Sequence, residues 1–153
     1  MLFRSNLDLP ERQTHDQAAI SREKARAAWQ QIKKPVLVDD AGIYFDAYRN
    51  FPGFMTKFVW QSLGVDGIFR LLNENNRATM KVFYSYCNGP DSVHTFEGSI
   101  ACTMVRPVEP IPADTGKPFC YLMVPDGYDV PYQSLDPADY GPHTSFRLNG
   151  LNK

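Results

Sequence analysis

Two adjacent carboxylates, Asp39 and Asp40, follow the apolar run Val36-Leu37-Val38. That run reads as a short strand buried on both faces, so the pair stands at the carboxyl end of a buried strand. Side by side there, the two carboxylates repel each other and lose hydration. A divalent cation relieves both problems, and the crevice at the carboxyl ends of sheet strands is where ligands collect. Mg²⁺ takes one or two carboxylates and fills its shell with water and phosphate oxygens. The competing reading is a solvated turn with one Asp capping a loop, the commoner use of Asp-Asp in general. Lys24 sits among alanines beside an apolar helical stripe, where its compact charge reaches a phosphate. The competing reading is an ordinary surface lysine. His15, His94 and His143 are isolated, which gives no support to a zinc site or a histidine triad. Neither a P-loop nor a Gly-x-Gly-x-x-Gly run is present.

Several elements have to position these groups. Residues 2–9 read as an edge strand ended by Pro10. Thr14 and Gln17 have the spacing of a capping box. Ala18, Ala25, Ala28, Trp29 and Ile32 then recur at helical spacing, which predicts a helix over about 15–33. Ala41-Gly42 suits a tight turn after the Asp pair, with Ile43-Tyr44-Phe45 opening another strand. Phe51-Pro52-Gly53-Phe54 signals a turn, and two helices follow over 55–63 and 66–73, split near Gly64. Residues 78–86 alternate as a strand, and Gly89-Pro90-Asp91-Ser92 suits a hairpin turn. Further strands are expected over 93–96, 98–105 and 119–124, with a proline-rich connection over 107–118 and irregular structure from 130. The chain therefore reads as a single α/β (α+β) domain, residues 1–153, around a central twisted mixed sheet flanked by helices.

The formal charge is −1, without a basic block, which argues against a nucleic-acid partner. No stretch approaches the ~20 apolar residues of a membrane span, and the N-terminus lacks a signal-peptide core. Cys87, Cys102 and Cys120 are odd in number and widely spaced. Free thiols in a reducing cytoplasm are expected, not a disulfide framework.

Five segments, in this order, carry a family resemblance: residues 8–13 (Asp-Leu-Pro-Glu-Arg-Gln), 20–25 (Ile-Ser-Arg-Glu-Lys-Ala), 35–47 (through Asp39-Asp40-Ala41-Gly42), 51–54 (Phe-Pro-Gly-Phe) and 96–98 (Phe-Glu-Gly). Over residues 7–107 the chain resembles the non-canonical purine NTP pyrophosphatase, or inosine triphosphatase, family. The resemblance implies that fold, with hydrolysis of ITP, dITP or XTP to the monophosphate and pyrophosphate using Mg²⁺. It implies Glu11 and Asp40 as metal ligands or water-orienting groups, Asp39 as the neighbouring acid, and Lys24 as a phosphate contact. Ser145 and Arg147 match part of a late Ser-His-Arg motif, its histidine replaced by Phe146. A homodimer is implied, since the family is commonly dimeric.

The departures are as specific. The chain is expected to lack the family's first strand-helix unit with its Thr/Ser-x-x-Asn-Lys phosphate motif. The aromatic-Asp-Pro loop is expected near residues 119–124 but reads Phe119-Cys120-Tyr121-Leu122-Met123. Three functions follow: an NTP pyrophosphatase of altered specificity, a nucleotide- or anion-binding protein that has lost turnover, or an oligomeric interaction module using the exposed sheet edge.

Overall fold

The computed structural model describes residues 7–9, 13–139, 141 and 145–147. Strands β1 (Val36–Phe45), β2 (Arg77–Gly89), β3 (Ser92–Met104) and β4 (Met123–Pro125) form one sheet in the order β1-β2-β3-β4. Helix α1 (Gln17–Ile32) precedes β1, and α2 (Thr56–Leu72) connects β1 to β2. The expected combination of helices and a central sheet is present. The sheet differs from expectation in being antiparallel at every pairing among the described residues, not mixed. Its spine is the β2–β3 hairpin, which closes with Gly89 opposite Ser92, and so tight a turn permits only antiparallel strands.

One face of the sheet carries the main core, where Ile43, Phe45, Met80, Val82, Ile100 and Met104 pack with Ile68, Leu72, Phe119 and Leu122. α1 covers the other face through Ile20, Ser21, Ala25 and Ala28. The Ser21 hydroxyl donates to the Phe83 carbonyl at 3.1 Å and lies 2.9 Å from Ser85 Oγ, so the helix is tied to the middle of β2 by polar as well as apolar contacts.

The helix is close to the expected span, but its start is built differently. Asp16 is the N-cap and accepts from the Ala19 amide at 2.9 Å. Thr14 accepts from the Asp16 amide instead, and Gln17, 2% exposed, turns its side chain inward. The capping box expected of Thr14 and Gln17 does not form, because burial takes Gln17 away from the helix end.

β1 corrects a larger expectation. It is one continuous strand of 10 residues with no turn at Ala41-Gly42. Among the described residues it is also the edge of the sheet, and Leu37 is 44% exposed. Asp39 and Asp40 therefore lie mid-strand, not at the end of a doubly buried one. Gly42 serves close approach: a Cβ there would lie 2.4 Å from the Gly53 carbonyl oxygen and 2.7 Å from Gln17 Oε1. Similarly, the two strands expected over 93–105 are one, β3, running through Gly98. The strand expected over 119–124 is a 3₁₀ turn, Pro118–Tyr121, followed by the short β4. The proline at its first position supports that turn, and only the residues after it pair with β3. The edge strand expected over 2–9 falls largely outside the described residues, and residues 7–9 are irregular.

α2 breaks where expected. Gly64 takes φ 58°, ψ −169° inside the helix, a conformation close to glycine-only. A Cβ there would meet nothing within 4 Å, so substitution is limited by backbone conformation alone. Gly64→Ala is expected to cost about 1–3 kcal/mol. Asn, which suits left-handed helical ψ near +47°, gives no relief at this ψ. Urea denaturation checks both: the midpoint falls for each variant with an unchanged slope.

Candidate active site

Side chains alternate across a strand, so Asp39 and Asp40 leave β1 on opposite faces. Asp40 shares the α1 face with Gly42 and Tyr44. Asp39 shares the other face with Ala41, Ile43 and Phe45, which belong to or pack against the core. The repulsion expected between the two carboxylates is relieved by this divergence and by a separate cation for each.

Lys24 Nζ donates to Asp40 Oδ1 at 3.0 Å, and both side chains are largely buried, 14% and 17% exposed. Gln17 Nε2 donates to Asp40 Oδ2 at 3.1 Å. The two sequence candidates Lys24 and Asp40 are thus brought together, with Gln17 joining them. Asp39 accepts from Arg147, 108 positions along the chain. Burial opposes the Arg147 charge, but Asp39 and then Tyr84 outweigh it and hold the guanidinium above its ordinary range. Ser145 is buried, its amide donating to the Gly141 carbonyl at 2.8 Å. It stands behind the site while Phe146 and Arg147 reach the cavity. Glu11 lies outside the described residues.

A cavity of about 600 Å³ borders Asp40 and Ala41 of β1. Its apolar wall holds Trp60, Met80, Phe119, Tyr132 and Phe146, and Lys57, Lys117 and Arg147 bring positive charge. The Trp60 and Phe119 rings meet edge to face at 5.8 Å. A second cavity, about 530 Å³, is bounded by Leu7, Asp8, Leu9, Lys24, Val38 and Asp39. The Asp pair thus divides two recesses along one sheet edge. Among the described residues no three Asp, Glu, His or Cys side chains converge into a metal cage. Asp40 borders a cavity with room for phosphates, and a carboxylate is the hard oxygen donor that suits the weaker demand of a Mg²⁺ held mainly by substrate and water.

The sequence reading missed Gln17, Lys57, Trp60 and Lys117. Gln17 had been assigned to a cap. The others carry no motif, and only the fold of α2 and the 113–120 segment brings them to one wall.

The family model described as the Ham1 family matches residues 2–139. The chain is 41% identical over 95 residues to inosine triphosphate pyrophosphatase 1 of Trypanosoma cruzi (strain CL Brener), covering 61% of this chain and 48% of that protein. It is 30% identical over 134 residues to the dITP/XTP pyrophosphatase of Methanopyrus kandleri, covering 86% and 70%. The chain thus spans about half the length of the first of these relatives. The Ham1 protein of Staphylococcus aureus superimposes with a TM-score of 0.73 at 18% identity, over 96% of this chain and 78% of that one. A HAM1 protein from Coxiella burnetii gives 0.71 at 18%, over 94% and 78%.

All three cysteines are free and buried. Burial pushes the Cys102 thiol up to about 12 and raises that of Cys120, which lines the larger cavity. Unfolded thiols ionise near 8.5. Above that pH the unfolded chain binds fewer protons than the native one, so stability is whole below about pH 8.5 and declines as pH rises towards the folded values. Unfolding free energy at pH 9.5 is expected to fall about 1 kcal/mol relative to pH 7.5 on account of Cys102, with Cys120 adding to the fall in the same direction. At pH 8 a disulfide reagent should label them quickly only after denaturation.

Proposed function

The chain belongs to the Ham1 family, and from that membership we propose that it is a nucleoside-triphosphate pyrophosphatase acting on non-canonical purine nucleotides of the ITP and XTP type. The observation that carries the reading is the position of Asp40, paired with Lys24 on the α1 side, at the border of a cavity walled by Trp60, Phe119 and Phe146 and edged by Lys57, Lys117 and Arg147, while Lys24 lines the neighbouring recess with Asp39. Aromatic surface accepts a flat base, cations accept phosphates, and a carboxylate at their junction handles the water. Relatives named as inosine triphosphate and dITP/XTP pyrophosphatases support the same reading.

The reaction is attack of water on the α-phosphorus: a new P–O bond forms, the α–β anhydride bond breaks, and pyrophosphate leaves. Asp40 orients the water and takes up its proton, and Lys24 is the phosphate contact. Asp39, held by Arg147, is the supporting acid, while Ser145 and Arg147 shape the substrate side. Glu11 and Asp40 would hold a Mg²⁺, which when bound offsets charge on the phosphates. Base selectivity is altered in this reading. The 118–121 turn places Phe119 and Cys120 at the cavity where the family's aromatic-Asp-Pro loop was expected, so this wall offers stacking in place of that loop's carboxylate. The family setting and the free thiols favour a cytoplasmic homodimer. Among the described residues, no helix is long and apolar enough to cross a membrane.

Incubation with Mg²⁺ and ITP, XTP, dITP or the common NTPs is expected to yield monophosphate and pyrophosphate. Asp40→Asn should reduce that turnover by at least about 100-fold, in the range seen for loss of a general base. Binding of the nucleotides without product would replace the enzyme reading by that of a nucleotide-binding protein. Orthophosphate in place of pyrophosphate would overturn the stated bond cleavage.

A further inference from the structure

Gln17 is a buried polar side chain, 2% exposed, at the first position of α1. Its amide lies across Gly42, close enough that a Cβ on Gly42 would stand 2.7 Å from Gln17 Oε1. On β1 the α1-facing side reads Asp40, Gly42, Tyr44, so the missing side chain of Gly42 is the space through which Gln17 spans from Asp40 to Tyr44. Nε2 of Gln17 donates to Asp40 Oδ2 at 3.1 Å, and the Tyr44 hydroxyl donates to Gln17 Oε1.

The polarity of this chain is fixed by chemistry. An ionised carboxylate only accepts, so the amide must present its nitrogen to Asp40. Its oxygen then faces Tyr44, whose hydroxyl has to donate. Burial first, and then the charges of Asp40, Glu97 and Asp16, raise the Tyr44 hydroxyl well above its ordinary range, so it stays a donor throughout the neutral range. Lys24 holds Oδ1 of the same carboxylate at 3.0 Å. Each oxygen of Asp40 therefore has its own donor, and the rotation of the carboxylate is set from the α1 side by Lys24 and Gln17 together.

We propose that Gln17 and Tyr44 are positioning residues for Asp40, a relay Tyr44→Gln17→Asp40 that fixes the carboxylate plane used to orient the attacking water. The inference rests on the pyrophosphatase reading above. Neither residue touches substrate; both act through Asp40. Tyr44 is itself braced, with Lys81 Nζ 5.4 Å from its ring centre and its ring against Gly53, so the relay is anchored in the sheet and in the turn that leads into α2. A carboxylate rotated away from its plane still carries its charge and still attracts Lys24. The loss on breaking the relay is therefore expected in the chemical step and not in substrate affinity.

Two variants test it. Gln17→Glu keeps the shape and the Tyr44 bond but sets a carboxylate oxygen against Asp40. Tyr44→Phe keeps the ring and removes only the anchor of the amide. With wild-type enzyme turning over ITP in Mg²⁺, the expected result is a fall in kcat of about 100-fold for Gln17→Glu and about 5- to 10-fold for Tyr44→Phe, with KM within threefold. Adding Tyr44→Phe to Gln17→Glu should cost less than twofold more, the non-additivity of residues acting in series. Circular dichroism at the assay temperature confirms that each variant is folded. A kcat within twofold of wild type in either variant, or a loss expressed in KM, would overturn the relay while leaving the pyrophosphatase reading intact. Absence of turnover in wild type itself overturns that reading, and the relay's catalytic role falls with it.

Discussion

The alternation of β1 is the constraint on which the charge layout of the molecule depends. Neighbouring residues of a strand face opposite ways, so Asp39 and Asp40 cannot share a cation and each draws its own from a different part of the chain. Lys24 comes from α1, and Arg147 from more than a hundred residues downstream. Two ends of the sequence are thereby fastened to one edge strand. The two pairs are not equal. At 3.0 Å and an effective dielectric near 20 the gross attraction of Lys24 and Asp40 is about 5 kcal/mol, partly cancelled by desolvation. Asp39 and Arg147 are 44% and 40% exposed, so solvent screens them, and a contribution of order 1 kcal/mol is the ceiling for such a pair. The pair under α1 is the firmer of the two, and it is the one that carries Gln17.

An edge strand also leaves backbone amides without sheet partners, and along β1, the edge among the described residues, the chain closes part of that edge itself. The Ile43 amide donates to Thr56 Oγ1 at 2.9 Å, the Phe45 amide donates to the Phe51 carbonyl at 2.8 Å, and Tyr44 bridges to Pro52. The turn that does this needs Gly53, at φ +54°, and brings its carbonyl over Gly42. Covering the edge and delivering the first half of α2 to the cavity are the same event. Thr56, Lys57 and Trp60 reach the cavity wall because Thr56 is pinned to β1. The break at Gly64 then lets the second half of the helix turn its own apolar residues, Ile68 and Leu72, into the core.

These dependencies explain what the sequence disclosed. The α1 periodicity, the split at Gly64 and the Gly89–Ser92 hairpin depend on local pattern, and each has its counterpart in the structure, while the motif residues Asp40 with Lys24 and Asp39 with Arg147 form two ion pairs. The edge position of β1 was hidden because Val36-Leu37-Val38 has the composition of a buried strand, and edge or centre is decided by what pairs alongside, not by the strand's own residues. Gly42 was read as a turn because glycine punctuates turns far more visibly than it permits close approach. The same ambiguity hid Gln17: three residues after Thr14 it fits a helix cap, and only the packing of α1 on β1 shows its amide facing a carboxylate. Periodicity along β1 did hold a clue, since Asp40, Gly42 and Tyr44 fall on one face at a spacing of two. A small residue between two polar ones on a strand face is the pattern of a third side chain lying across it.

The site is built from two kinds of support. Asp40, Lys24 and Gln17 sit on a strand and a helix whose backbones are fixed by ladder and helical hydrogen bonds, and their side chains occupy one another's hydrogen-bonding capacity. The cavity on the other face is walled by the 113–120 segment and residues 146–147, where position depends on a few packed rings such as Trp60 against Phe119. A carboxylate that handles water loses efficiency with small rotations, because the proton it accepts has to lie within hydrogen-bond reach. A stacking wall tolerates displacement, because dispersion and apolar contact vary slowly with lateral position. The rigid side therefore suits the reaction common to a family, and the turn-built side suits divergence. A wall that reads Phe119-Cys120-Tyr121-Leu122-Met123, without an Asp-Pro, leaves the hydrogen bonds that orient Asp40 undisturbed, since none of those bonds passes through it.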